Sequence, residues 1–333
     1  MDITRPQQRH PGPVAGLVAL TCPPEWLRVS ICAAWGWDVQ HTRLHLIAAD
    51  LHASFLVVVD DLPVAVARLS VPPYMEDTAA AESEVAWMMD LDAAGVVRVP
   101  AVITPADGRD VALLADEDDR HWICLATTLV PTTPPGDDDS RLRMLGTTAA
   151  RMHEHALSYH RPRDFIRPTW DTTDLVGPDA RWGNWRTIGL DPTDHTVLAR
   201  AEQAALDVLH LASRAPDSWG LVHGDLRPEK VVAGPDGVTV LDFDSCGFSW
   251  FMLDLAAALS ASAGSPRAPE QAQAWIEGYQ EVRPLTLEDA RAACALVVLR
   301  QLQWLGRSGG ADEAHEAVRV GRAYLRDAGW LVR

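Results

Sequence analysis

Two carboxylates and one ammonium lie close together in the segment LVHGDLRPEKVVAGPDGVTVLDFD, residues 221–244. Asp225 sits on a loop ahead of a short strand pattern, KVVA. GPDG makes a tight turn, and Asp242 ends the returning strand. A hairpin of this length returns Asp242 to the end of the sheet that Asp225 occupies. H-G-D alone reads as a turn and D-F-D alone as a strand end; in this order, joined by a short hairpin, they read as a site. Phosphoryl transfer uses these groups: a carboxylate that orients a hydroxyl and accepts its proton, a carboxylate that holds a metal ion, and a cation against the phosphate oxygens. Lys230 has a second distinction. Of the 29 basic residues in the chain it is the single lysine; the other 28 are arginines.

The elements around this segment are legible from period and punctuation. Residues 1–13 are polar and proline-rich and are expected to be disordered. EWLRVSICAAWGW has helical spacing. HLIAAD, SFLVVVD and PVAVARLS have strand patterns, the last two joined by an Asp60-Asp61 turn. EDTAAAESEVAWMMDLDAAG predicts a helix with acidic residues at its start and Gly95 as its stop. VRVPAVITP, DVALLAD and HWICLATTLV predict further strands. Residues 14–130 therefore form a small antiparallel sheet crossed by a helix. PTTPPGDDDS, residues 131–140, is a breaker and the expected linker. Residues 141–333 are mainly helical, interrupted by the one hairpin.

Bulk composition narrows the function. The 333 residues are 47% apolar and 23% charged, with a net charge of −17. That is ordinary for a folded chain of two lobes. The acidic field disfavours nucleic acid and anionic membrane and favours a cationic substrate or basic peptide; it also serves solubility. Five scattered cysteines without a C-x-x-C pattern predict neither a disulfide framework nor a zinc site, and so a reducing, cytoplasmic setting. No stretch reaches the ~18 apolar residues of a membrane span.

His223-Gly224-Asp225, Asp242-Phe243-Asp244 and GFSWFMLDLAAAL with Asp254 resemble the aminoglycoside phosphotransferase and choline kinase family. RWGNW (181–185) and GYQEVRPL (278–285) resemble a bacterial subgroup of it. The resemblance runs from about residue 35 to near the C-terminus, with its more specific motifs in the second lobe. It implies an α+β, two-lobed protein-kinase-like fold, with a small N-terminal sheet lobe and a larger helical C-terminal lobe. It implies ATP or GTP with Mg2+ as cofactors. Asp225 would be the catalytic base, Asp242 the metal ligand and Asp254 a carboxylate bracing the catalytic loop. His223 would orient that loop rather than do acid–base work. For Asp244 the alternatives are a second-metal or substrate contact and a solvated turn position. In the first lobe the family places a basic residue on the third strand, paired to a helix glutamate. Arg68 and Glu84 match that placement, with Glu82 as the lesser choice. Thr128 and Val130 would offer backbone contacts to the nucleotide base. Two departures stand out: LHASFLVV carries no glycine for a phosphate cradle, and Lys230 replaces the asparagine that holds metal in kinase catalytic loops.

Three readings of Lys230 are open to the sequence. It neutralises phosphate in place of one metal ion; it pairs with Asp242 or Asp225 and blocks metal; or it points to solvent and a neighbouring residue supplies the metal ligand. The expected activity is O-phosphorylation of a small hydroxyl compound, cationic in keeping with the charge: an aminoglycoside, an amino alcohol or a natural-product intermediate. A variant is a Ser/Thr kinase for a short precursor peptide. The alternative from another class is a pseudokinase that binds a nucleotide, peptide or partner. MHEHALSYH, with His153, His155 and His160, is not a metal motif and reads as a solvated helix face. Trp250 and Phe251 read as core, with the lining of a substrate cleft as the lesser choice.

Overall fold

The computed structural model describes residues 23–49, 52–70, 78–130, 138–234 and 237–332. Residues 1–13 and Cys22, and most of the expected linker (131–137), lie outside the described residues. The chain divides into two compact units: Met1–Ala86 with Pro100–Pro131, and Trp87–Val99 with Thr132–Arg333.

The first unit opens with helix α1 (Glu25–Trp35), stopped by Gly36 at φ 71° in the left-handed region that glycine tolerates. Strands β1 (Thr42–Ala49), β2 (Ala53–Val59) and β3 (Leu62–Ser70) follow as an antiparallel meander. Helix α2 (Thr78–Ala93) comes next, then strands β4 (Ala112–Ala115) and β5 (His121–Thr127). The sheet order is β1-β2-β3-β5-β4, antiparallel throughout. Period-2 alternation decides what each face buries. Phe55, Val57, Leu69, Trp122 and Cys124 pack with Leu27 and Ile31 of α1. Ile123 and Leu125, the intervening residues of β5, pack with Ala81 and Val85 of α2. β5 is covered on both faces, which is why HWICLAT is a nearly unbroken apolar run.

VRVPAVITP does not form the strand expected of it. It contributes only isolated bridges, Arg98 with Thr239 and Val102 with Thr127. Pro100 and Pro105 have no N–H to donate to a ladder.

The second unit is built of helices α3 (Asp138–Ser158), α4 (Thr172–Val176) and α5 (Pro192–Leu211). Next come strand β6 (Trp219–Val222), the hairpin β7 (Val231–Gly234) and β8 (Gly237–Val240), and strand β9 (Gly247–Trp250), which pairs with β6. Helices α6 (Leu253–Ala258), α7 (Ala268–Gln280), α8 (Leu287–Ser308) and α9 (Ala311–Arg326) complete it. α3 begins at Asp138, within the 131–140 segment read as a breaker. α3 and α7 cross at two glycines. A Cβ on Gly146 would overlap the Trp275 carbonyl, and one on Gly278 the Arg143 carbonyl. α8 is the central helix: a Thr286/Asp289 capping box starts it, Gly309 at φ 65° ends it, and residues from Ala292 to Gln303 along it are buried. No helix among the described residues is long and apolar enough to cross a membrane. Cys32, Cys124, Cys246 and Cys294 are buried.

Candidate active site

The loop between β6 and β7 carries His223, Gly224, Asp225 and Lys230, and it is held from below by one buried carboxylate. Asp254, fully buried in the first turn of α6, accepts the Gly224 amide on Oδ1 at 2.8 Å and the His223 amide on Oδ2 at 3.1 Å. His153 of α3 adds a third hydrogen bond, Nε2 to Oδ2 at 3.0 Å, and its Nδ1 lies 3.1 Å from the Tyr279 hydroxyl. Burial works against the Asp254 charge, but these donors outweigh it and hold the carboxyl below its ordinary range. Burial keeps the His153 imidazole from protonating, lowering its pKa despite Asp254. The reading of His153 as part of a solvated helix face is thus corrected. It is completely buried and stacks on Phe251 at 4.4 Å. A buried carboxylate needs a partner that one sequence stretch cannot show, and α3 supplies it from 101 residues away. His155 points elsewhere and meets Asp90 at 2.7 Å.

Gly224 adopts φ 78°, and a Cβ there would collide with the Ser245 carbonyl. This glycine lets the loop pass close to the D-F-D turn. His223 ties the same two segments together. Its Nε2 donates to the Leu241 carbonyl at 3.0 Å, and its Nδ1 accepts the Asp225 amide at 3.3 Å. Both ring nitrogens are engaged with the backbone. Arg167 pins the turn from the other side, donating to the carbonyls of Cys246 at 2.7 Å and Asp244 at 2.5 Å.

Asp225 is 7% exposed and sits between two guanidiniums. Arg300 of α8 approaches its Oδ1 at 2.5 Å, and Arg227 approaches the same carboxylate at 3.1 Å. Burial raises the Asp225 pKa, with Arg300, Arg227 and Lys230 opposing but not cancelling the rise. A carboxylate shifted upward in this way is suited to general-base work. Arg300 is itself 1% exposed. It donates to Gln303 Oε1 at 2.7 Å and lies over Trp182 at 4.5 Å. Arg227, Arg300 and Arg307 all place their guanidinium carbons within 5.6 Å of the Trp304 ring centre. The sequence reading missed Arg300, Arg227 and Trp304. The available signal was a lone arginine inside the apolar run ACALVVLRQLQWL: a charge on a buried helix face demands a carboxylate.

Lys230 ends a 3₁₀ turn, Pro228–Lys230, and forms an ion pair with Asp242 Oδ2. The backbone fixes its place: the Lys230 amide donates to Arg227 O at 2.9 Å, and its carbonyl accepts from Leu241 at 2.8 Å. Burial disfavours the ammonium, but Asp242, Asp225 and Asp244 outweigh it and raise the pKa. All three carboxylates favour the charged form of this lysine, and Asp242 is the one in contact with it. Asp242 itself has φ 64° and ψ 66°, a left-handed conformation uncommon outside glycine and a place where backbone strain is stored.

A divalent cation fits these residues in part. Asp242 is a hard oxygen donor of the kind Mg2+ takes, and Asp244 lies two residues on. An ammonium has three donors and no lone pair, so Lys230 is no ligand. Among the described residues no group of three or more His, Cys, Asp or Glu is placed to hold a metal. The oxygen donors on this turn are Asp242 and Asp244, and position 230 adds no ligand to them.

In the first unit Arg68, 9% exposed, reaches both oxygens of the fully buried Glu84 at 2.8 and 2.9 Å. Glu82 is not the partner in that bond. Thr128 uses its amide on Ala101 O at 2.8 Å and its hydroxyl to accept the Ala101 amide at 3.0 Å. Val130 lies three residues past the end of β5. Trp250 and Phe251 are each 2% exposed and pack in the core of the second unit.

Comparison with known proteins gives the fold its relatives. The solved structure of a microcompartment-associated aminopropanol kinase superposes with a TM-score of 0.81 at 27% identity, over 91% of this chain and 98% of that one. An amicoumacin kinase solved with AMP-PNP, Ca2+ and Ami superposes with a TM-score of 0.71 at 17% identity, over 89% and 91%, and shows the shared fold. Amicoumacin kinase from Bacillus subtilis (strain 168) is 23% identical over 176 residues, 52% of this chain and 49% of that protein, so the chain spans about half that relative's length. Residues 43–294 match the model of the phosphotransferase enzyme family, and the chain belongs to that family.

Proposed function

We propose that the protein transfers the terminal phosphoryl group of a nucleoside triphosphate to a hydroxyl of a small molecule. The observation that carries this reading is Asp225: a buried carboxylate with a raised pKa, on a loop locked by Asp254 and His223. Asp225 takes the hydroxyl proton as the acceptor oxygen bonds to the terminal phosphorus. The bond from that phosphorus to the bridging oxygen breaks, and the nucleoside diphosphate leaves. Asp242, with Asp244, would hold the divalent cation, Mg2+, which supplies charge neutralisation on the phosphates when bound. Lys230 supplies a further positive charge. In the first unit, Arg68, braced by Glu84, is assigned to nucleotide phosphate. The Thr128 amide is engaged with Ala101, so the backbone of Val130 is assigned to the base, ATP or GTP.

Two observations bear on the acceptor. The net charge of −17 and the likeness to an aminopropanol kinase support a cationic amino alcohol. The three arginines gathered on Trp304 beside Asp225 support a neutral or anionic one. A second reading, a nucleotide-binding pseudokinase, draws on the Lys230–Asp242 pair. The test is ADP or GDP release over a panel of amino alcohols, aminoglycosides, hydroxy acids and a Ser-containing peptide, with Asp225→Asn as control. Acceptor-dependent release lost in the variant supports the enzyme. Binding of nucleotide with no release from any acceptor supports the pseudokinase.

A further inference from the structure

We infer that Lys230 stands in for one of the two divalent cations that a kinase-type site assembles, so that the nucleotide complex of this chain holds one metal ion, on Asp242. This rests on the phosphotransferase reading above. In kinase catalytic loops the asparagine five residues after the base carries the second ion. Here that position is Lys230, which cannot ligate a metal but carries the charge itself.

Geometry places that charge on Asp242, the carboxylate that would hold an ion. Lys230 is fixed by backbone hydrogen bonds to Arg227 and Leu241, and its ammonium rests on Asp242 Oδ2. Its side chain is 18% exposed, against 33% for Asp242. It is sheltered on its own side, while the carboxylate keeps a face toward solvent. A carboxylate offers two oxygens and about four lone-pair sites, more than one ammonium takes. The choice of side chain follows the same logic. An ammonium is a compact point charge, whereas a guanidinium is a broad planar fork. A chain that uses arginine at its other 28 basic positions has lysine at the one place where a small cation is to be replaced.

Lys230 as a replacement differs measurably from a plain blocking residue. A blocker would abolish metal binding with nucleotide. A replacement lowers the count by one and leaves nucleotide binding intact.

The experiment is a Mn2+ titration followed by electron paramagnetic resonance of the free ion, with AMP-PNP and wild type, Lys230→Asn or Lys230→Ala. Nucleotide binding is measured in parallel by calorimetry, and Mn2+ held by AMP-PNP alone is the baseline. Wild type should bind one Mn2+ per nucleotide complex and Lys230→Asn two. Lys230→Ala should keep one Mn2+ and bind AMP-PNP more weakly. Two Mn2+ in wild type, none in wild type, or an unchanged count in Lys230→Asn overturns the inference. If AMP-PNP does not bind wild type at all, the phosphotransferase reading itself fails, which the calorimetry registers separately from the metal count.

Discussion

Replacing Arg300 with methionine tests how the catalytic loop is held. The substitution keeps an unbranched apolar stem but removes the guanidinium, which lies over Trp182 and 2.5 Å from Asp225. Both partners are nearly enclosed, at 1% and 7% exposure. Breaking a buried pair from one side costs about 3–5 kcal/mol, because the remaining charge is stranded. Arg227 stays at 3.1 Å, with 24% of its side chain exposed, so Asp225 keeps a partly solvated partner. The lower end of the range, about 3 kcal/mol, is therefore expected. At about 2–4 °C per kcal/mol for a unit of this size, Tm should fall by about 6–12 °C. The variant should also show a second effect. Arg300 opposes the upward pull of burial on Asp225, so its loss raises that pKa further, and the acid limb of kcat/KM moves to higher pH. Thermal unfolding of wild type, Arg300→Met, Asp225→Asn and the double variant forms a cycle. The double variant strands no charge and should be more stable than the sum of the singles by at least about 1 kcal/mol. A fall of less than about 2 °C in Arg300→Met, or additivity across the cycle, would refute the pairing as the loop's anchor.

Other outcomes follow from the same network. Asp225→Asn should lower turnover by about 10²–10⁴-fold, while the thermal shift given by AMP-PNP persists. Gly224→Ala should destabilise by more than about 1 kcal/mol, since φ 78° and the Ser245 carbonyl both oppose a Cβ, and circular dichroism melts will register it. His153 is held neutral when folded but gains a proton when unfolded below a pH of about 6.5. Its contribution is therefore complete above that pH and is lost as pH falls toward its lowered folded value. Urea melts from pH 8 to pH 5 should show this slope in wild type and a flatter curve in His153→Gln.

The parts of the fold that were readable are those whose signals are local. Alternation in β2 and β3, the glycine stop at Gly95, and the hairpin joining Asp225 to Asp242 are each written in one short stretch of sequence. The pairing of a strand-three basic residue with a glutamate on the following helix, 16 residues on, was legible through the family resemblance and not through a local signal. What escaped the reading is set by long-range packing. Arg300 meets Asp225 across 75 positions, and His153 meets Asp254 across 101. Each is a polar residue forced inside by its helix face, and its partner is identifiable only once the helices are assembled. VRVPAVITP failed for the opposite reason. Its apolar alternation was genuine, but two missing amide donors prevented a ladder.

The measurement that bears most directly on the central claim is ³¹P NMR of the protein with ATP, Mg2+ and the acceptor selected from the panel. Wild type should show a new phosphomonoester resonance growing in step with ADP, and Asp225→Asn neither signal above background. ADP and inorganic phosphate without a phosphomonoester, or product formation at an equal rate in Asp225→Asn, would contradict that claim.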